Sequence, residues 1–209
     1  VWAITKGRSY PFLNDFDIDF TSPLATVVLS NKIYDSLPIN QLDVLQYQGK
    51  PKHDDQAALA AVYTMIAREI GITDGVALLK NVKINKYFWH DASETTTWTG
   101  PVTAHATLGA LKPLPGAISG QNVIAHIKVH HLVIVRGTYT KSTGGTATHW
   151  LLATLVTAKP NGIITTLVAN DPWTGWQVEI DPATKTVISP SNFPLKNFKV
   201  NAYQPVTLH

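Results

Sequence analysis

The chain has 209 residues, 44% hydrophobic and only 15% charged, enough for one substantial core and too apolar for a disordered chain. Its net charge of +3 comes from scattered lysines with no basic block, which argues against nucleic-acid binding, and its longest apolar runs, HLVIVRG and WLLATLV, are too short to span a bilayer. There is no cysteine, which excludes disulfides, zinc–thiolate sites and a thiol nucleophile within this chain.

In chain order, residues 1–41 read as an irregular N-terminal extension, with short strands at FDIDF and ATVVLS broken by Pro23 and Pro38. LDVLQYQ, residues 42–48, alternates in part and reads as a strand. HDDQAALAAVYTMIAREIG is the clearest helix. Leu59, Val62, Ile66 and Ile70 fall on one face, Asp54 or Asp55 can cap the start, and Gly71 stops the end. TDGVALLK reads as a second, shorter helix. Residues 81–121 are loop-dominated, with one helix expected at 102–111.

From residue 122 the pattern turns to strand: NVIAHIKV, HLVIVRGTY, ATHWLLATLV, GIITTLVAN and WQVEI, linked by the turn sequences KSTGG, KPNG and DPWTG. Helix first and antiparallel sheet second argue an α+β domain.

His149 opens one of these strands and Asp171 closes the next. If the two pair through KPNG, imidazole and carboxylate meet at one end of the sheet. There the acid can fix the ring tautomer and leave the other ring nitrogen as a base. The start of a helix carries partial positive charge and unpaired N–H groups, which stabilise an anion. Gln48 stands six residues before Asp54 at the start of the first helix. His130 and His131 open HLVIVRG and are alternative imidazoles, further from Asp171. The histidines lack metal-ligand spacing, so neither metal nor cofactor is expected. There is no G-x-S-x-G, P-loop or dinucleotide fingerprint.

Over residues 42–180 the chain resembles the papain-like cysteine peptidases, in particular those that process bacteriocin leaders. The likeness rests on QGKPKHDDQAALAAV (Gln48 to Leu59 without a gap against a Gln, five residues, Cys-Gly pattern), on GQNVIAHI, on HWLLATLV and above all on VANDPWTG after a His-led strand. It implies a papain-like domain over 42–209, with His149 as general base, Asp171 orienting it and Gln48 donating to an oxyanion. Asp54 stands at the nucleophile's position and Asp55 at the following Gly. A second alignment, through ALAAV, puts Ala58 at the nucleophile's position, with Gln48 or Gln56 as donor.

Two functions follow. One is a peptidase of peptides or proteins whose Cys has been replaced. The other is a natural pseudopeptidase that binds peptides in the retained groove, with Trp150, Trp173 and Trp176 as candidate walls. A chain beginning at Val1 with few charges is read as a processed, secreted or periplasmic protein.

Overall fold

A computed structural model describes residues 27–29, 38–44, 46–47, 50–51, 55–72, 88–90, 96–98, 100–128, 131–159 and 161–209. In chain order they form β1 (Val27–Leu29), α1 (Gln41–Val44), β2 (Gln46–Tyr47), β3 (Lys50–Pro51), α2 (Asp55–Glu69), β4 (Phe88–His90) and β5 (Thr96–Trp98). After a 3₁₀ turn (Gly100–Ala104) come β6 (Ala106–Leu108), β7 (Lys112–Pro113), α3 (Val123–Lys128), β8 (His131–Thr140) and β9 (Thr146–Ala158). The chain closes with β10 (Ile164–Asp171), β11 (Trp176–Ile180), β12 (Val187–Ser189) and β13 (Lys199–Leu208). FDIDF and TDGVALLK lie outside the described residues.

The architecture is α+β and mostly sheet. Among the described residues nine strands make one antiparallel sheet along the path β12-β11-β10-β9-β8-β13-β6, with β1 added on β9 and β7 on β13. Alternation along the central strands divides the core. Leu132 and Ile134 of β8, with Trp150 and Leu152 of β9, face a cluster built on α2 that includes Ala58, Val62, Met65 and Ile66. Val133 and Val135, with Leu151 and Ala153, face the opposite cluster with α3, Phe198 and Val200. A period of two sends successive side chains to opposite faces, so both faces are apolar and both are covered. No helix among the described residues is long and apolar enough to cross a membrane.

Several elements differ from the sequence reading. Of LDVLQYQ, Gln46–Tyr47 is strand as expected, but residues 41–44 are helical, because the Asn40 side chain caps the turn, its Oδ1 accepting from Leu42 N at 2.9 Å. Within NVIAHIKV, Val123–Lys128 is also a helix. Asn122 Oδ1 accepts from the backbone N–H groups of Val123 at 2.6 Å and Ser119 at 2.7 Å, and buried Val123, Ile124 and Ile127 share one helical face. The helix expected at 102–111 is a single 3₁₀ turn followed by β6. β13, a central strand, carries no clean sequence signal.

Two described stretches before residue 42 pair with the later chain. β1 pairs antiparallel with the far end of β9, Val27 opposite Ala158. Gln41 N donates to Pro172 O at 2.6 Å, so Val27–Leu29 is bonded to the sheet and Gln41 to the loop that follows β10.

Candidate functional site

β9 and β10 are antiparallel neighbours, with Asn170 opposite Leu152, so the start of β9 and the end of β10 lie at one end of the sheet. There His149 Nε2 lies 2.5 Å from Asp171 Oδ1. Both side chains are buried, His149 1% exposed and Asp171 0%.

The DPWTG loop is built around this carboxylate. Oδ2 accepts from Thr174 N at 2.9 Å and Thr174 Oγ1 at 2.6 Å, while Oδ1 also accepts from Trp173 N at 3.3 Å. Asp171 O accepts from Gly175 N at 2.9 Å, and Gly175 takes φ 70°, a left-handed conformation that side chains disfavour. The loop's aspartate thus supplies acceptors for donors that the tight turn would otherwise strand.

Burial pushes the Asp171 carboxyl upward in pKa. The hydrogen bond and charge of His149, together with the Thr174 hydroxyl and N–H, outweigh it and hold the group below the ordinary carboxylate value. An ionised carboxylate has no proton to give, so the proton between the two is carried on Nε2. Nδ1 is the remaining ring nitrogen, and no hydrogen bond reaches it from the described residues.

Three rings enclose the imidazole edge to face. Trp173 and Phe198 lie at 6.0 Å between centroids and Tyr139 at 6.5 Å. Opposite His149 on β8 stands Gly137, and the Phe198 ring occupies the space its side chain would fill. Phe198 and Tyr139 were not anticipated as neighbours of His149. The only sequence signal was Gly137 in an otherwise apolar strand, which marks a close approach by something bulky.

The structure brings His149 and Asp171 together but does not bring Ala58 to them. Ala58 lies inside α2, fully buried in the cluster with Trp150 and Leu152. His149 has the parity of Leu151 and touches Phe198, so it projects from the other face. The groove expected to hold Asp54, or alternatively Ala58, with His149 and Asp171 is therefore not formed at Ala58, because the sheet stands between. Gln48 and Asp54 lie outside the described residues, as do His130 and the side chains of Asp55 and Gln56. His131 begins β8, six residues before the partner of His149, roughly 20 Å away at strand rise. Of the three tryptophans, Trp150 faces α2, Trp173 covers the imidazole, and Trp176 stands 41% exposed as the cross-strand partner of Asp171. Among the described residues no group of three His, Asp or Glu side chains is placed to hold a metal ion.

Burial of Ala58 gives an expected result. Ala58→Cys should present a thiol that a disulfide reagent does not modify in the native protein and modifies fully in denaturant, with a contrast of about a hundredfold or more in rate if it reacts only through global opening. Rapid native labelling, abolished by His149→Ala, would instead place a functional nucleophile at 58.

No protein-family model matches the chain, and no curated protein matches its sequence.

Proposed function

We propose that the chain is a peptide-binding module: a papain-like arrangement of leading helix and antiparallel sheet, without a nucleophile, that holds extended peptides at an aromatic rim beside His149 and Asp171. The carrying observation is the exposed Trp176, on the same sheet face and at the same strand end as the buried pair. Asp171 is its cross-strand partner, and Val178, two residues on, packs in the cluster that contains Phe198. An exposed indole next to a half-buried one offers a large, rigid contact surface at low entropic cost.

The papain-like part of this reading is supported by the order of elements and by the His–Asp pairing through a DPWTG loop. Peptidase activity is a poorer fit. The chain has no thiol, Ala58 lies across the sheet from His149, and the imidazole is sealed by three rings. In this reading His149 and Asp171 tie two strand ends together and set the floor beneath the rim.

The test is titration with a pool of extended peptides, followed by intrinsic tryptophan fluorescence and by mass spectrometry of the recovered peptides. Binding without cleavage is expected, and Trp176→Ala should weaken it roughly thirtyfold, the value of an aromatic hot spot of about 2 kcal/mol. Cleavage of the peptides, or equal affinity in the variant, would overturn the reading.

A further inference from the structure

The α2 face of the sheet carries a second polar grouping, separate from the imidazole and its acid. Arg136 of β8 and Trp150 of β9 are direct cross-strand partners. Ile134 precedes Arg136 by two residues and Leu152 follows Trp150 by two, and both belong to the α2 cluster, so Arg136 and Trp150 share that face. The guanidinium carbon stands 5.6 Å from the centroid of the indole, within the range of a cation–π contact. Trp150 is 9% exposed, and its Nε1 is buried with no hydrogen-bond partner. Among the described residues Arg136 makes no ion pair, and it remains half-buried.

Both groups only donate. Guanidinium presents a planar fork of N–H donors and indole a single N–H, and neither has an acceptor to satisfy the other. A buried donor without a partner is unfavourable, and buried polar groups in folded proteins are nearly always satisfied. What completes this pair is an acceptor, and the fixed charge of Arg136 makes an anion the best one. One guanidinium balances one negative charge. A carboxylate carries that charge and matches the fork in two parallel bonds, whereas a phosphate group carries more charge than a lone Arg can balance. The cation–π contact with the indole restrains the guanidinium before any ligand arrives, which lowers the ordering cost of binding.

We infer that Arg136 and Trp150 form a carboxylate-binding subsite on the α2 face of the sheet. The carboxylate comes from a peptide C-terminus, an acidic side chain or a small free organic acid. The subsite stands independently of the peptide-binding rim, since Trp176 lies on the opposite face and Trp176→Ala leaves it intact.

The experiment titrates the full chain, labelled with ¹⁵N, with four probes: an N-acetylated tetrapeptide bearing a free C-terminus, its C-terminal amide, the amide with one internal glutamate, and acetate. The reporter is the indole N–H resonance that is missing in Trp150→Phe. It should move downfield with the free-acid peptide and stay in place with the plain amide. Arg136→Gln should weaken the free-acid peptide roughly ten- to a hundredfold, as expected for loss of a hydrogen bond to a charged group, and Arg136→Lys should fall between. A matching shift with the glutamate peptide identifies a side-chain carboxylate as source, and saturation by acetate alone identifies a small acid. Equal binding of acid and plain amide, no shift with any probe, or unchanged affinity in Arg136→Gln overturns the inference. If Trp150→Phe fails to fold, calorimetry on the Arg136 variants, altered at a half-buried position, still decides it.

Discussion

Asp171→Ala is expected to destabilise the protein by about 3–5 kcal/mol, because it strands several buried donors at about 1–3 kcal/mol each, partly relieved by relaxation. The carboxylate accepts from His149, Thr174 Oγ1 and the N–H groups of Trp173 and Thr174, and it is fully buried. Truncation leaves all of these donors facing an apolar methyl group. In a chain of this size the change corresponds to roughly 6–20 °C in melting temperature. The loss should depend on pH in a definite direction. The folded pKa of Asp171 lies below its unfolded value. The stabilisation is therefore complete above the unfolded value of about 4 and is lost as pH falls through the lower folded value. Urea unfolding at pH 7 and near pH 2.5 measures this. The gap between parent and variant should narrow in acid, and an unchanged gap would mean that the carboxylate contributes through packing alone.

Gly137→Ala should produce the second large effect from a single added methyl. A Cβ at 137 would stand 2.4 and 2.5 Å from two Phe198 ring carbons and 2.8 Å from Lys199 O. Lys199 belongs to β13, which pairs with β8, so the backbone cannot retreat without breaking the ladder. The Phe198 ring must move, and it is wedged between His149 and Phe193. Overpacking of this kind costs about 1–3 kcal/mol, and the rigidity on both sides points to the upper end. The near-ultraviolet dichroism of the aromatic cluster should change along with stability. Combining Gly137→Ala with Phe198→Ala should cost at least about 0.5 kcal/mol less than the sum of the single changes, because the cavity accepts the methyl. Strict additivity would show that the methyl clashes elsewhere.

The pairing of His149 with Asp171 was legible because it depends only on strand alternation and turn chemistry. Two apolar strands joined by KPNG bring their outer ends together, and DPWTG is a loop that needs an acid at its first position. α2 was legible for the same local reasons: an apolar face with period 3.6 and a stop at Gly71. Two short apolar runs were not. VIAHI is too brief to separate helix from strand by periodicity, and the Asn122 cap decided it. β13 was missed because Pro205 reads as a breaker, yet it sits opposite Val133 inside the sheet. The face that α2 would cover was also not legible. HWLL states that His149 and Trp150 point apart, but either face could have taken the helix, and packing of Trp150 and Leu152 on α2 settled it on the side away from the imidazole.

The bonds from residues 27–29 to the end of β9, and from Asn40 and Gln41 to the loop after β10, join parts of the chain more than a hundred positions apart. During synthesis these early segments have no docking place until most of the polypeptide has left the ribosome, and the apolar surface of α2 waits uncovered over the same interval. Such distant pairings slow folding and prolong the period in which a nascent chain can associate with others, so this protein should gain more than most from a holdase while it is being made.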